Sequence, residues 1–352
     1  MTEKKQIVVL TGGTGYLGSR IFNELLENGY AVRLTSRNKE KTAQQTWIQE
    51  LIEKHQADVE LYSGDLEKEG SFDEAMLGAD FLIHSASPFK IQGIKDPQKQ
   101  LIDPAVNGTR NVLNAAEKSG SIKKVVLTSS LAAIYGDAAD KKLLSKEKFD
   151  ESVWNTSSSV KHQPYSYSKT LAEQEAWNMN KGKNWKLVTI NPGFILGPAM
   201  VPRTDSTSIG FMLDMLKGTY KMGVPDLYFS IVDVRDVAKA HVKAMESENA
   251  EGRHVCTNKT MSALDMAEAL KSEVGERYTK LPSKNLPKWL TYIFAPILAG
   301  FSWNYLNKNL GVSYDFDNSK IKESLSIAFR PVAETFREHV KQLEDDDLIK
   351  GK

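Results

Sequence analysis

The sequence is poor in cysteine and shows no excess of either charge. Cys256 is the only cysteine among 352 residues, which excludes a disulfide framework and a cysteine-based metal site. The 46 Lys and Arg residues balance 45 Asp and Glu residues. The composition therefore shows neither the excess of basic residues typical of a nucleic-acid-binding protein nor a polybasic segment that would bind anionic lipid. We therefore expect a globular protein, monomeric or homodimeric, whose partner is a small molecule.

The sequence also lacks histidine pairs and any apolar run of membrane-spanning length. Its six histidines show no i, i+4 ligand spacing, so no metal site is predicted. The segment 290–303, LTYIFAPILAGFSW, contains Pro296 and falls short of the ~20 apolar residues that a span requires. We expect an amphipathic or buried helix there, with a peripheral membrane or dimer contact as the alternative. The first apolar run leads directly into glycines, which is typical of a strand rather than a signal peptide and predicts a cytoplasmic location.

Apolar runs and helical patterns alternate through the first two thirds of the chain. The predicted strands are 6–10, 31–35, 59–63, 81–84, 124–128 and 187–191. The predicted helices between them are 17–28, 39–53, 72–76, 103–118 and 165–179. This alternation indicates an α/β fold, a doubly wound parallel sheet of the Rossmann type.

The alternation breaks after Pro198, where glycines and prolines punctuate a stretch that we expect to be irregular up to residue 228. The elements predicted beyond it are a strand at 228–232 and helices at 234–247, 262–274, 287–309 and 332–343. We therefore expect a Rossmann domain and a smaller, mainly helical C-terminal substrate-binding lobe. The boundaries predicted are 1–198 plus 229–257 for the first, 199–228 plus 258–345 for the second, and 346–352 for a tail.

A glycine-rich loop joins the first predicted strand to the first predicted helix. Its sequence, TGGTGYLG, contains both G-x-x-G-x-x-G and G-x-G-x-x-G. Glycines there permit a tight turn, let a pyrophosphate touch the backbone and bring the helix N-terminus close to that anion. Because strand, loop, helix and second strand follow in the right order, the pattern predicts a dinucleotide site. The predicted binding residues of this loop are Gly12, Gly15, Tyr16, Leu17 and Gly18.

The end of the second strand distinguishes between the two nicotinamide dinucleotides. An NAD enzyme places a carboxylate there, whereas this chain has Arg37, with Lys41 one helical turn later. A guanidinium group can donate two parallel hydrogen bonds to a 2′-phosphate, so the pattern favours NADPH/NADP+. Two further loops follow strands at the same edge and add cofactor-binding candidates: Asp65, Leu66, Ser85, Ala86 and Ser87. His84, which precedes the second of these loops, is expected to be a packed strand-end residue.

The stretch PYSYSKT, residues 164–170, places two tyrosines ahead of one lysine. On a helix Tyr165 and Lys169 are i, i+4 and share a face, whereas Tyr167 lies roughly 200° from Lys169. An unperturbed tyrosine has a pKa of about 10, and a nearby ammonium group favours the phenolate. The spacing therefore predicts Tyr165 as a proton donor whose pKa is lowered by Lys169, and Tyr167 as a packing residue.

Hydroxyl groups follow the predicted strand 124–128. Ser129 and Ser130 stand at the carboxyl edge of the sheet, where ligands bind in such folds. Side chains alternate along a strand, so the two serines face opposite ways. One of the two hydroxyls can therefore hold a reacting carbonyl oxygen, and the spacing by itself does not decide which.

Several motifs combine in this one chain: TGGTGYLG, Arg37, Ser130, Tyr165-x-x-x-Lys169 and NPGFILGP, together with HSASPF, NGTRNVLNAA and FSIVDVRDVAKAH. Together they resemble the extended short-chain dehydrogenase/reductase superfamily. Within it, the chain is similar to the dihydroflavonol-4-reductase-like and NADPH-dependent aldehyde/ketone reductase group. The resemblance covers roughly residues 6–257, and the C-terminal lobe matches only loosely.

This resemblance implies an NADPH-dependent carbonyl reductase that transfers the pro-S hydride to an aldehyde or ketone. The residues that it implies are Ser130 as the catalytic serine, Tyr165 as the proton donor, Lys169 as its electrostatic partner and ribose ligand, Asn107 in a proton relay through water, Arg37 and Lys41 on the 2′-phosphate, and Pro192, Gly193 and Ile195 beside the nicotinamide. Flavonoid reductases of the group carry an asparagine five residues after the serine. This chain has Tyr135 there, which argues against a flavonoid substrate.

Three other functions share parts of the pattern. A sugar-nucleotide epimerase or dehydratase has the same triad, and Ile134-Tyr135-Gly136 resembles an epimerase run displaced by one residue. Such enzymes keep NAD, and dehydratases place Asp-Glu after the serine or threonine, where this chain has Leu131-Ala132. A 3-beta-hydroxysteroid-type dehydrogenase would use the segment 290–303 as a membrane-facing helix. A non-catalytic nucleotide sensor would be expected to lack the tyrosine–lysine pair.

Overall fold

A seven-stranded parallel sheet forms the centre of the protein. The computed structural model describes residues 5–88, 94–298 and 300–351. The strands within these ranges are β1 (Ile7–Thr11), β2 (Ala31–Ser36), β3 (Val59–Ser63), β4 (Phe81–His84), β5 (Lys124–Thr128), β6 (Lys186–Pro192), β7 (Phe194–Leu196), β8 (Tyr228–Asp233), β9 (Gly252–Cys256) and β10 (Lys259–Ser262). The large sheet has the order β3-β2-β1-β4-β5-β6-β9, with every pairing parallel. A three-stranded mixed sheet has the order β10-β8-β7.

Helices follow almost every strand of the large sheet. Within the same ranges they are α1 (Tyr16–Glu27), α2 (Lys39–Ala43), α3 (Thr46–His55), α4 (Asp73–Met76), α5 (Asp103–Ser119), α6 (Pro164–Asn180), α7 (Thr207–Lys217), α8 (Val234–Glu246), α9 (Ala263–Val274), α10 (Lys288–Leu298), α11 (Trp303–Asn309), α12 (Ser319–Leu325) and α13 (Val332–Asp345). None of the helices in the part of the chain described is both long enough and apolar enough to cross a membrane.

The large sheet is covered on both faces, which explains its continuous apolar strands. Val8 and Leu10 of β1 point into one buried cluster together with α1 and α8. Val9 lies between them in the sequence and points into a second cluster on the opposite face, built with α5. Alternate residues of a strand point to opposite faces, so a strand buried on both sides is apolar throughout. The predicted α/β doubly wound fold is confirmed.

The direction of strand addition reverses beside β1. The chain first builds β1, β2 and β3 outward, and then places β4 on the other side of β1. Parallel sheets of this kind open a crevice at the carboxyl ends of the strands where the order reverses. The ends of β1 and β4 are tied there, since Thr11 Oγ1 lies 2.7 Å from His84 Nδ1. The topology therefore fixes the place of a ligand cleft before any side chain in it is considered.

A separate apolar core lies among the elements of the second half of the chain. Its members come from β7, α7, α9 and α13, and include Leu213, Met266 and Phe336. Ile349, in the predicted tail, is also buried in this core. The domain boundaries given above stay a prediction, and these contacts show that residues near the C-terminus pack against the second core.

The expectation of an irregular stretch from 199 to 228 is wrong, because α7 lies within it. Ile209, Met212, Leu213 and Leu216 recur at helical spacing and are all buried. Gly210 within this run obscured the pattern. Two predicted helices are also divided in the structure: 39–53 forms α2 and α3, and 287–309 forms α10 and α11. Strands β7, β9 and β10 were not predicted.

Candidate active site

A cleft of about 750 Å³ opens at the carboxyl edge of the large sheet. The loops that line it follow β1 through β6, as the strand order requires. The predicted site residues that the structure brings to this cleft are Gly12, Gly15, Tyr16, Leu17, Gly18, Arg37, Asp65, Leu66, Ser85, Ala86, Ser87, Ser130, Tyr165, Lys169, Pro192, Gly193 and Ile195. Seventeen positions predicted from separate motifs therefore share one concave surface.

The glycine loop forms a cradle that a side chain would fill. Gly12 has a φ of +73°, and a Cβ there would lie 2.6 Å from the amide nitrogen of Ala86. A Cβ on Gly18 would lie 2.0 Å from the carbonyl oxygen of Gly12. α1 begins directly after Gly15 and has no acidic residue in its first turn, so its amides remain available to an anion. The cradle fits the pyrophosphate of a dinucleotide.

The two cations predicted for the 2′-phosphate occupy different places. Arg37 follows β2 and lines the cleft beside Thr35 and Ser36. Lys41 is exposed in the first turn of α2 and is not among the residues that line the cleft. Its amide instead donates to the side chain of Asn38, 2.7 Å away, which caps α2. The structure therefore brings Arg37 to the cleft and does not bring Lys41 to it.

The structure separates the two serines after β5. The Ser129 hydroxyl donates to the buried carboxylate of Glu173, at 2.5 Å. The Ser130 hydroxyl oxygen accepts from the amide of Ala132 at 3.1 Å, which leaves its own proton to donate. Both serines line the cleft, and Tyr165 lines it with them. The proton of the Ser129 hydroxyl is thus engaged by Glu173, whereas that of Ser130 is left to donate a hydrogen bond in the cleft.

Helix α6 supplies the tyrosine and the lysine. Tyr165 and Lys169 both line the cleft, and Tyr167 is not among its lining residues. Lys169 Nζ donates to Ser87 Oγ at 3.1 Å. Burial lowers the pKa of Lys169 to about 8, opposed by the negative charge of Glu173. As the i, i+4 spacing predicts, Tyr165 and Lys169 lie on the same face of α6, and this face is turned toward the cleft.

The predicted direction of the Tyr165 pKa shift is opposite to what the structure gives. Burial raises the pKa of Tyr165 to about 12, because removal of water penalises the phenolate. The phenol therefore holds its proton firmly at neutral pH, which suits a group that donates a proton.

A buried carboxylate behind Ser130, Tyr165 and Lys169 was not predicted from the sequence. Glu173 on α6 accepts from Asn191 Nδ2 at 2.8 Å as well as from Ser129, and pairs with Arg253 Nε at 2.6 Å. Both members of this ion pair are buried. Asn191 also donates to the backbone carbonyl of Ser130, at 3.2 Å. Glu173 is four residues beyond Lys169, so a repeat of the i, i+4 spacing was the available signal.

The guanidinium of Arg253 is held by more than the carboxylate. It donates to the backbone carbonyl oxygens of Glu151, Val153 and Ala133, and it lies 3.9 Å from the ring centroid of Trp154. These contacts join β9 to the loop that precedes α6. Helix α6 and the segment that follows Ser130 are therefore fixed to each other through one buried cation.

Two further side chains differ from the sequence predictions. Asn107 on α5 is exposed, and its amide oxygen accepts from Arg110 at 2.9 Å. It does not line the cleft, so the structure does not bring this proposed relay residue to the site. Arg203 was not predicted, yet it lines the cleft and its guanidinium lies 3.5 Å from the carbonyl oxygen of Thr14. Arg203 lies in a loop between β7 and α7, where the sequence has no motif or periodicity that would predict a binding residue.

Tyr135 fills the place of the asparagine expected in flavonoid reductases. Its hydroxyl is hydrogen-bonded to that of Tyr314 at 2.7 Å, and its ring packs against Phe149 and Phe316. Tyr314 in turn donates to the backbone carbonyl of Tyr228. The ring of Tyr135 is therefore packed in an aromatic cluster, and its hydroxyl is hydrogen-bonded within that cluster.

His84 is a structural residue, as expected. It is buried at the end of β4, and burial lowers its pKa to about 3. The neighbouring charge of Lys169 acts in the same direction. The imidazole stays neutral and holds the hydroxyl of Thr11.

The chain matches a family model and relatives over most of its length. The model described as the NAD dependent epimerase/dehydratase family matches residues 8–256. Tetraketide alpha-pyrone reductase 1 of Arabidopsis thaliana is 34% identical over 354 residues, covering 99% of this chain and 98% of that protein. Cinnamoyl-CoA reductase CAD2 of Medicago truncatula is 36% identical over 285 residues, covering 80% and 83%. The solved structure of Gre2 from Candida albicans in complex with NADPH superposes with a TM-score of 0.78 at 26% identity, covering 97% and 99%.

Proposed function

Because the chain belongs to the NAD dependent epimerase/dehydratase family of extended short-chain dehydrogenases/reductases, and is an NADP-dependent oxidoreductase, we propose that it reduces the carbonyl group of a small aldehyde or ketone. The resemblance predicted from the motifs is confirmed. The observation that supports the proposal is the single cleft that Ser130, Tyr165 and Lys169 share with the glycine cradle and Arg37.

NADPH, when bound, supplies the hydride that reduces the carbonyl carbon. Ser130 donates a hydrogen bond to the carbonyl oxygen and stabilises the negative charge that grows there. Tyr165 gives its phenolic proton to the same oxygen, which completes the alcohol. The pKa of about 12 keeps Tyr165 protonated until the substrate oxygen becomes more basic than the phenolate.

Lys169 has two tasks in this proposal. Its ammonium group donates to Ser87 in the cleft and would donate a hydrogen bond to a ribose hydroxyl of the cofactor. Its positive charge also offsets the negative charge left on Tyr165 after proton transfer. With a pKa of about 8 the amine is mostly charged at neutral pH and loses that charge in mild alkali.

The substrate is to be found by a screen of NADPH oxidation. The compounds span aldehydes, diketones, aryl ketones, steroids and flavanones, with the relatives' substrate classes, α-pyrone and cinnamoyl-CoA compounds, included. UDP-sugars serve as the control class, because the alternative function is an epimerase or dehydratase. Turnover of UDP-sugars without net NADPH oxidation would favour that alternative and contradict the proposal.

The proton donor is tested with two matched variants on α6. We expect Tyr165→Phe to lower kcat by about 10²–10⁴-fold, the range typical of a lost general acid, while the Kd for NADPH stays nearly unchanged. Tyr167→Phe removes a hydroxyl two residues away that does not line the cleft, and kcat should hardly change. Equal losses in both variants would contradict the assignment, as would a Tyr165→Phe enzyme of normal kcat.

A further inference from the structure

Large apolar side chains are exposed together on one side of the C-terminal half. Seven large hydrophobic side chains are exposed in the part of the chain described. Five of the seven form what we call the α10 face: Met222, Trp289, Ile293, Phe294 and Trp303. Trp289 and Trp303 are 65% and 67% exposed, far more than a tryptophan usually is in a folded domain.

Backbone contacts hold these five side chains in one neighbourhood. The indole nitrogen of Trp303 donates to the backbone carbonyl of Tyr292 on α10, at 3.2 Å. The segment that leads into α10 pairs with residue 224, since Val224 bonds to both Lys284 and Leu286 through the backbone. Met222 is two residues from that pairing. These contacts place Trp303 beside α10 and Met222 beside the segment that leads into α10.

The apolar side of α10 faces away from the protein. Thr291 and Ala295 are buried and mark the inner side of the helix. At 100° per residue, Trp289 and Ile293 lie about 160–200° from Thr291, on the opposite side. Polar residues belong on the outer side of a helix that only meets water, so this orientation indicates a partner surface.

The segment that carries the α10 face is basic, although the carboxylate of Asp226 lies near Lys288 where both approach Gly311. No aspartate or glutamate occurs from residue 277 to residue 314, a stretch that includes Lys280, Lys284 and Lys288. Lys221, next to Met222, is exposed as well. Among the described residues, Lys221, Lys280 and Lys284 take part in no ion pair. The near-neutral composition conceals this local excess, because the balancing acids lie on other parts of the chain.

We propose that the α10 face binds the surface of an anionic lipid bilayer, as a peripheral contact. Tryptophan and phenylalanine side chains are favoured at the level of the lipid headgroups, where one end of the ring is apolar and the other is wet. The lysines around them reach lipid phosphates while their methylene chains cover apolar surface. An amphipathic helix with these two features lies in the plane of the interface and does not span it.

A second copy of the chain is a poorer occupant of this surface. A two-fold dimer brings the same patch of both copies together, so the lysines that surround one α10 face would meet those of the other. Like charges opposed in this way cost binding energy, whereas a layer of lipid phosphates relieves the repulsion. Charge complementarity thus selects the membrane over self-association.

The test is co-sedimentation of the full chain with vesicles of phosphatidylcholine, with and without phosphatidylserine. We expect binding only to the vesicles that contain phosphatidylserine, a blue shift of tryptophan emission on binding, and loss of binding at high salt. The double variant Trp289→Ser/Phe294→Ser should lower the partition coefficient at least about tenfold. Lys221→Gln/Lys284→Gln should lower it by about tenfold or more. These side chains are exposed, so neither variant should disturb folding.

Leu77→Ser is the matched control, because Leu77 is also an exposed apolar residue but follows α4 at a different part of the sheet. It should leave the partition coefficient unchanged. The proposal is overturned if the chain ignores phosphatidylserine vesicles, or if both double variants bind as well as the wild type. It is also overturned if light scattering shows a concentration-dependent dimer that Trp289→Ser/Phe294→Ser abolishes while no vesicle binding is seen. These outcomes do not depend on carbonyl reductase activity.

Discussion

Neutralising Glu173 should destabilise the whole protein although no part of its side chain reaches the surface. The substitution Glu173→Gln keeps the shape of the side chain and removes its charge. It leaves the buried guanidinium of Arg253, 2.6 Å away, facing an amide in place of a carboxylate. The hydroxyl of Ser129 and the amide of Asn191 lose a charged acceptor at the same time.

The magnitude follows from the burial of the pair. Removing one partner of a buried ion pair typically costs about 3–5 kcal/mol, because the remaining charge is left without compensation. That is a large part of a total stability of about 5–15 kcal/mol, so the variant should fold but with a Tm lower by roughly 10 °C. The carboxylate also raises the pKa of Lys169, so its loss should move the alkaline limb of the activity profile to lower pH.

The assay is equilibrium unfolding in urea at neutral pH, followed by the pH dependence of kcat. Glu175→Gln is the matched control, because Glu175 lies on α6 like Glu173 but pairs at the surface with Arg110 of α5, at 2.8 Å. Its loss should lower the free energy of unfolding by less than about 1 kcal/mol. In a double-mutant cycle, Glu173→Gln and Arg253→Met should show a coupling energy of about 2 kcal/mol or more. If Glu173→Gln costs no more than Glu175→Gln, the assignment of this buried pair is refuted.

Three other outcomes are expected. Arg37→Ala should raise the KM for NADPH by about tenfold or more with little change in the KM for NADH. Lys41→Ala changes a residue outside the cleft and should preserve the preference for NADPH. If the preference is unchanged in both variants, Arg37 does not bind the 2′-phosphate. Gly18→Ala should abolish dinucleotide binding measured by calorimetry, since the new Cβ would lie 2.0 Å from a carbonyl oxygen, whereas Gly210→Ala meets nothing within 4 Å and should bind normally. The pKa of Lys169 is about 8 in the folded state against about 10.4 unfolded, so across that window the unfolded state binds more protons and stability rises with pH. Relative to Lys169→Met, the unfolding free energy of the wild type should therefore increase across that window, and a parallel pair of curves would exclude the shift.

Much of the fold and of the cofactor site could be predicted because the signals are local in the chain. The bounds of β3, β4 and β5 match the predicted ranges, since short β-branched runs bounded by turns specify strands directly. The pair Tyr165 and Lys169 could be chosen over Tyr167 because helix geometry depends only on spacing. Helix α7 has a helical apolar period as well, but Gly210 interrupts it and hides the helix from a reading of the sequence.

The differences between the predicted and the observed site have a common cause. Whether Lys41 and Asn107 reach the cleft depends on the direction in which α2 and α5 dock, and no local pattern encodes that direction. The pKa of Tyr165 shifts upward and not downward as predicted, because spacing reveals the neighbouring charge but not the burial of the phenol. The oligomeric state and the cytoplasmic location stay predictions.

The sequence by itself determined the strand–helix alternation, the glycine cradle, the arginine in place of an acid and the face that Tyr165 shares with Lys169. Each of these depends on residues within a few positions of one another. Only the tertiary structure decided that Glu173 pairs with Arg253, 80 positions away, and that α10 turns its tryptophan outward. Burial and long-range pairing are properties of how elements pack, and packing brings together residues whose separation in the chain carries no information about their contact.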